Sequence, residues 1–388
     1  MQEITNYSLC TGCHACYAIC PVDAISMVPN IEGFLYPYIN NDLCIDCGKC
    51  VLVCPINRIS IKYGEINKKT SAYACINKDN QIRLESSSGG MFTLFSQEII
   101  KRKGIVFGAR FDTEFSVVHD YTNRIDDLGE FRGSKYVQSK IGQTFKEAKE
   151  LLDQGKNVLF SGTPCQIAGL LSFLPKEYEN LLCIDLICHG VPSPFLWNEY
   201  IKYRKQEAQS NIKNVSFRKK NKGWKKYSLS IDFENGKEYI ENVYNDKYMN
   251  LFLSDVCLRE SCYNCKFKTI NRDADITLAD FWAVDKIYPD MFDDKGISLV
   301  LVHSEKGQQI FNLLKKYFNY RIVSIDQAIY SNRSMVSSAM RPEGRSSFYH
   351  DLQNYDIRKI FRKYTYSSFS KICKKIRNKI TKYLNILP

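Results

Sequence analysis

Two runs of cysteine in this chain share one spacing. CTGCHACYAICP places Cys10, Cys13, Cys16 and Cys20 before Pro21, and CIDCGKCVLVCP places Cys44, Cys47, Cys50 and Cys54 before Pro55. A third group, CLRESCYNCKF, sets Cys257, Cys262 and Cys265 at C-x4-C-x2-C. Thiolates at such spacings are ligands for soft metals, iron–sulfur clusters above all. The third group poses a puzzle. Three thiols cannot pair off as disulfides among themselves, and they leave a four-ligand cluster one short.

The duplicated run, C-x2-C-x2-C-x3-C-P, is the bacterial two-cluster ferredoxin pattern. Three thiolates two residues apart wrap a tight loop around one cluster, with backbone amides turned toward its sulfurs. The fourth lies a helical step further and faces the other cluster, and the proline turns the chain away. By that rule Cys10, Cys13, Cys16 and Cys54 hold one 4Fe-4S cluster, and Cys44, Cys47, Cys50 and Cys20 hold a second. Zinc ribbons also use C-x2-C pairs, but not two four-cysteine runs each closed by proline. Clusters of this kind pass single electrons and name neither donor nor acceptor.

The background fits a soluble redox chain. There are 388 residues, enough for two or three domains, and 16 cysteines, eight of them in the first 54 residues. The start, MQEITNYSLC, has no basic and apolar signal, and no apolar run approaches a membrane span. A cytoplasmic location is therefore expected, where clustered cysteines serve metals or catalysis rather than disulfides. Net charge is +12, and from Asp356 onward ten Lys or Arg face one acidic residue. Phe369, Ile372, Ile376, Ile380, Tyr383 and Leu387 recur at helical spacing in that tail. The pattern predicts a basic amphipathic helix that packs on its own domain or docks on a membrane or partner, with peripheral membrane association in the second case. Nucleic-acid binding is not expected, because the tail lacks exposed interleaved aromatics.

Elements must place these thiols. After a polar linker near 63–71, SAYACIN, GIVFGARF, KNVLFSG and LLCIDLIC read as strands. GMFTLFSQEIIKRK, TFKEAKELLDQG, TPCQIAGLLSFL and SPFLWNEYIKYRKQ read as helices. Gly155 is the expected cap of the second helix, and proline opens the third. This alternation predicts an α/β core with a partly parallel sheet. Residues 212–243, with the Asn235-Gly236 turn, suggest an inserted hairpin or meander. DITLADFW and GISLVLVHS then read as strands and SEKGQQIFNLLKKY as a helix.

Short motifs punctuate that core. In ESSSGGMFT, Ser87, Ser88, Gly89 and Gly90 precede a helix and could cradle a phosphate, or simply cap a flexible turn. FSGTPCQIAG puts Gly162, Thr163 and Cys165 at a strand-to-helix junction, where a thiolate is favoured. ICHGVPSP carries Cys188 and His189; FRKKNKGW carries Arg218 and Lys219, suited to a phosphate or anionic substrate, or to a solvated hairpin. Taken together and in this order, with RDADITLADFW at 272–282, these motifs resemble the coenzyme F-420 hydrogenase/dehydrogenase beta-subunit family. The resemblance covers all but the tail after about residue 345. Glu260 stands where relatives often carry proline, and Ala279 where glycine is common.

The resemblance implies a flavin, FAD, in the α/β domain and a third 4Fe-4S cluster beside it. A flavin exchanges two electrons and a cluster one, so a chain with both converts between them. Ser87–Gly90 and Gly162–Thr163 offer amides for the diphosphate, and His189 and Cys165 are the candidate catalytic groups, though a lone histidine is commonly structural. For the third cluster, Cys257, Cys262 and Cys265 need a fourth ligand. Cys188, which ends a strand, is favoured over Cys165, and a zinc site or buried thiols are the alternatives.

The expected organisation is of class α+β/α/β. A two-cluster ferredoxin-type domain (1–62) is followed by a mixed α/β flavin-binding domain (70–345) with its inserted hairpin, and then by the basic helical tail (346–388). The expected function is an iron–sulfur flavoprotein oxidoreductase. It would move electrons between a redox partner protein or small donor and an organic two-electron acceptor. The alternative is a non-catalytic electron relay within a larger complex.

Overall fold

The computed structural model describes residues 4–58 and 70–365. Thirteen strands lie among them: β1 Ile25–Pro29, β2 Leu35–Ile39, β3 Ser71–Asn77, β4 Ile105–Phe111, β5 Val117–Thr122, β6 Val158–Gly162, β7 Leu181–Leu186, β8 Ile212–Lys219, β9 Ser228–Phe233, β10 Glu238–Asn242, β11 Ile276–Asp280, β12 Ser298–Val302 and β13 Phe318–Val323.

Eight strands form one sheet in the order β13-β3-β12-β11-β7-β6-β4-β5. Its centre is parallel: β4 pairs with β6, β6 with β7 and β7 with β11. Its flanks, β12, β3 and β13 on one side and β5 on the other, are antiparallel. The parallel strands are continuous apolar runs, as strands covered on both faces must be. Val158, Leu159 and Phe160 of β6 and Leu181, Leu182 and Cys183 of β7 are all buried. Strands β8, β9 and β10 form a separate three-stranded antiparallel meander, with Gly236 at φ +82° in its turn.

The N-terminal cysteine module is a small α+β unit. Strands β1 and β2 pair as a hairpin, from Ile25 opposite Ile39 to Pro29 opposite Leu35. Two short helices, Ala15–Ile19 and Lys49–Leu52, follow the paired cysteine loops. The module is fastened to the body at the hairpin tip. Glu32 receives both guanidinium arms of Arg345 at 2.7 and 2.6 Å, and Ser193 Oγ donates to the Glu32 carbonyl at 2.5 Å. At Gly33, φ is +84° and an added Cβ would lie 2.3 Å from the Cβ of Phe195.

The helix Pro164–Phe173 makes a second fastening. Its Gly169 leaves no room for a methyl group: a Cβ there would lie 2.9 Å from both Cβ and Sγ of Cys13. At the far end of the chain, the helices Arg345–Asn354 and Ile357–Tyr364 pack on the body. Phe348, Tyr349, Leu352, Ile360 and Phe361 join the apolar cluster that holds Trp197, Tyr200 and Tyr248. The basic helix expected around Phe369–Leu387 lies outside the described residues. Among the described residues no helix is long and apolar enough to cross a membrane.

Candidate metal and cofactor sites

In the N-terminal module, Cys10, Cys13, Cys16 and Cys54 line one pocket. The two cysteine loops repeat their backbone as well as their spacing. Gly12 and Asp46, each just before the second cysteine, have φ +66° and +51°. His14 and Gly48, each just after it, have φ +67° and +69°. Left-handed residues on both sides of a thiol curl the loop so that successive amides point to one side, a nest for an anion. Burial, against the neighbouring thiols, pushes Cys13 up to about 12 and Cys16 well above its usual value. Without metal these thiols stay protonated, and cluster binding must release protons. The second set differs in exposure. Cys44 and Cys47 are exposed, and Cys50 and Cys20 half-buried. Leu43, Ile45 and Leu52 around them are exposed too, the last at 72%.

The third site departs from expectation. Cys165, Cys188, Cys262 and Cys265 line a single pocket. Topology explains the first two. Strands β6 and β7 are parallel neighbours, so the loops at their carboxyl ends open at the same edge of the sheet. Cys165 begins the helix after β6, and Cys188 lies two residues beyond β7. The other two come from a 3-10 helix, Glu260–Asn264, capped by Cys265. With three residues per turn, positions 262 and 265 fall in line. Burial pushes Cys262 up to about 12 and raises Cys188 and Cys165, and the thiols raise one another.

Cys257 is not among them. The backbone of 257–259 runs extended against 191–193: Arg259 N donates to Val191 O at 3.0 Å and Ser193 N to Cys257 O at 3.1 Å. That pairing turns Cys257 into the apolar core with Tyr248 and Phe252, fully buried. The ligand trio expected from C-x4-C-x2-C is therefore corrected. Cys257 packs as a small apolar side chain, and Cys165 and Cys188 stand together instead of one excluding the other.

The pocket is also cationic. Arg259, Lys268 and Arg272 line it. The Lys268 amine donates to the carbonyls of Cys188 and, at 2.9 Å, Ser334. Arg272 reaches Asp185 at 3.5 Å. Arg259 is fully buried, and among the described residues it has four partners, none of them a carboxylate. Nε donates to Cys10 O at 2.8 Å and Nη1 to Gln138 Oε1 at 3.0 Å. Nη2 donates to Leu35 O at 3.0 Å and approaches Cys10 Sγ at 3.6 Å. Nothing in the cysteine spacing marks these cations as partners of the thiols. His189 lines the same pocket with both ring nitrogens engaged, Nε2 by Asp255 at 2.5 Å and Nδ1 by Ser334 at 3.3 Å.

The two thiol pockets touch. Thr11 lines both. One helix serves both: Cys165 in its first turn faces the third site, and Gly169, four residues on, abuts Cys13. Four residues are about 6 Å of helix. Among the described residues, no three His, Cys, Asp or Glu side chains close around one point as a single ion requires. The thiols line the walls of wider spaces.

The residues expected to hold a flavin fare unevenly. Arg218 is buried and committed to Asp280 through two bonds of 3.0 and 2.9 Å, and it also donates to Ser87 O. Lys219 pairs with Glu238 on the meander. Neither stands free for a phosphate. Ser87 Oγ accepts from Ser134 N at 2.7 Å, and Ser88 Oγ donates to Ile297 O at 2.7 Å. Gly89 lies where a Cβ would meet Cys75 O at 2.4 Å, so it serves close packing on β3. Thr163 N is taken by Gln166 Oε1 at 2.9 Å. Gly90 does fit an anion: it opens the helix Met91–Lys101 at φ +83° with no side-chain cap. Lys220, next in the same basic stretch, donates to the carbonyls of Arg83, Ser88 and Lys295, and burial lowers its amine to about 7.

Two family models match parts of the chain. Residues 9–58 match the family model described as a 4Fe-4S dicluster domain. Residues 155–327 match the model for the C terminus of the coenzyme F420 hydrogenase/dehydrogenase beta subunit. No curated protein matches. Among solved structures, a chain of the F420-reducing [NiFe] hydrogenase complex from Methanosarcina barkeri is 14% identical, with a TM-score of 0.46, over 69% of this chain and 88% of that one. The chain thus joins an N-terminal 4Fe-4S dicluster domain to a C-terminal domain of the coenzyme F420 hydrogenase/dehydrogenase beta-subunit family.

Proposed function

We propose that this chain is an iron–sulfur oxidoreductase subunit with three 4Fe-4S centres in a row. Cys44, Cys47, Cys50 and Cys20 hold the outermost, Cys10, Cys13, Cys16 and Cys54 the middle one, and Cys165, Cys188, Cys262 and Cys265 the innermost. The carrying observation is the four-thiol pocket that shares Thr11 with the pocket of the N-terminal module. Its donor set suits a cluster: four thiols surrounded by Arg259, Lys268 and Arg272 form an electropositive lining for an anionic centre. The clusters supply one-electron transfer, and a bound flavin supplies the exchange with a two-electron organic partner.

The chain's own groups do the positioning. The left-handed residues around Cys13 and Cys47 turn amides inward. Lys268 holds the Cys188 loop by its carbonyl, and Asp255 orients His189 at the rim. Of the proposed ligands only Cys44 and Cys47 are exposed, which supports electron exchange with a redox partner at that end. For the flavin, FAD by family resemblance, the uncapped start of the helix Met91–Lys101 at Gly90 would hold an anionic group. Arg218 and Lys219 do not fit that role as they stand.

Anaerobic purification followed by reductive titration tests the reading. About twelve iron atoms, about three one-electron equivalents and about two more for flavin are expected per chain. A small two-electron acceptor, coenzyme F420 or a nicotinamide among those tried, should reoxidise the reduced protein. Iron near eight would overturn the third centre, and the absence of flavin in denatured extract would overturn the flavin. Reoxidation only through a protein partner would favour a pure relay, the role consistent with the beta-subunit description.

A further inference from the structure

We infer that Arg259 is a shared counter-cation, a positioning residue that sets the potentials of the innermost and middle centres together. The inference rests on the three-centre reading above. A guanidinium taken wholly out of water is costly unless an anion pairs with it. Arg259 is fully buried, yet its partners among the described residues are two carbonyls, an amide oxygen and a thiol. The missing negative charge has two sources within reach. One is Cys10, a thiol of the middle site, 3.6 Å from Nη2. The other is the four-thiol pocket, whose wall Arg259 forms. With an anionic cluster in each site the guanidinium would be paired from both sides.

The surroundings are built around this group. It lies over the ring of Tyr36, 4.1 Å from the centroid, so its face as well as its edge is occupied. Gln138 accepts from Nη1 and donates to Thr11 O at 2.9 Å, bracing the loop that both pockets share. Gly12 is bare where a Cβ would stand 2.9 Å from Nη1. Of the pocket's other cations, Arg272 has Asp185 and Lys268 has three carbonyls on its own side. Arg259 alone of the three reaches Cys10. A fixed cation favours the more negative, reduced state of a nearby centre and so raises its potential. One cation between two centres raises both, so its loss lowers both.

The test uses the full chain, purified without oxygen, with potentials read by electron paramagnetic resonance during redox titration. In Arg259→Met, which keeps an unbranched apolar stem and drops the charge, both centres should become harder to reduce. The expected shift is about tenfold in each reduction equilibrium, 59 mV for one electron. In Arg259→Lys, which keeps the charge, both potentials should stay near wild type. Full iron with unmoved potentials in Arg259→Met overturns the inference, and so does a shift confined to one centre. If Arg259→Met cannot retain iron, Arg259→Lys decides: a paired tenfold shift with the charge still present refutes the charge-based account. Failure of the underlying reading looks different, because wild type would then carry only about eight irons.

Discussion

The sharpest test contrasts two cysteines that look interchangeable in sequence. Cys257 opens the C-x4-C-x2-C group, whereas Cys165 lies almost a hundred residues away. The structure reverses their standing. Cys257→Ala removes one sulfur from a fully buried site among Tyr248, Phe252 and Trp197. The lost burial is that of about one methylene, about 0.8 kcal/mol, and the small cavity brings the total to about 1–2 kcal/mol. Iron should remain at its full complement, with only a few degrees lost from the melting temperature. Cys165→Ala should keep the fold, since the thiol lies at a helix start facing a pocket. It should lose about four of about twelve irons. Cys188→Ala should match it. Iron and acid-labile sulfide per chain, with a thermal melt on the same anaerobic sample, measure both effects. A third of the iron lost from Cys257→Ala, or full iron in both Cys165→Ala and Cys188→Ala, would refute the reasoning.

Other outcomes follow from the same contacts. Gly169→Ala raises helix propensity by about 1 kcal/mol, yet its methyl would lie 2.9 Å from Cys13, so we expect net destabilisation and faster proteolytic release of the N-terminal module. Arg345→Ala leaves Glu32 without its bidentate partner near the hairpin tip and should cost about 3 kcal/mol, read as easier denaturant unfolding of that module. Asp185 is fully buried, and burial raises its carboxyl to about 6 from an ordinary 3.8. An acid raised in the folded state is costliest when ionised. Wild type should therefore gain up to about 3 kcal/mol relative to Asp185→Asn as pH falls from 6 to 4. A flat difference across that window would contradict the assignment. His303, bonded to Thr277 and lowered to about 3 by burial, acts oppositely. Its contribution is present above pH 6.5 and lost as pH falls toward 3, so denaturant melts of His303→Gln should decline less steeply on acidification.

Local chemistry was legible in the sequence where the chain itself enforces it. The twin cysteine runs were readable as a 4Fe-4S dicluster domain because each repeats one short loop and one helical step. The parallel centre of the large sheet was likewise readable, since β6 and β7 are unbroken apolar runs. What escaped depends on contacts far apart in the chain. Cys257 looked like a ligand because spacing says nothing about the 191–193 segment that turns it inward. Arg218 looked available because its partner, Asp280, sits 62 residues downstream. Arg259 and Lys268 looked like ordinary charged positions between or just beyond cysteines, and Lys220 like part of a solvated basic stretch. Only the fold shows Arg259 fully buried and both lysine amines engaged by backbone carbonyls. The unmatched thiol of the third group was a usable signal, but three cysteines could not say which loops would meet them.

The helix Pro164–Phe173 carries a constraint that outlasts any single substitution. It touches one thiol site with Cys165 and leaves room for the other with Gly169, so those two positions act as marks on a ruler. Inserting or deleting one residue between them would rotate one mark by about 100° relative to the other. Either Cys165 would swing away from its three companions or a side chain would be driven into Cys13. Length changes between residues 165 and 169 should therefore be far less tolerated than changes in the loops at either end of the helix. Two modules that could have been joined by any linker are tied to one register, and neither can drift without the other.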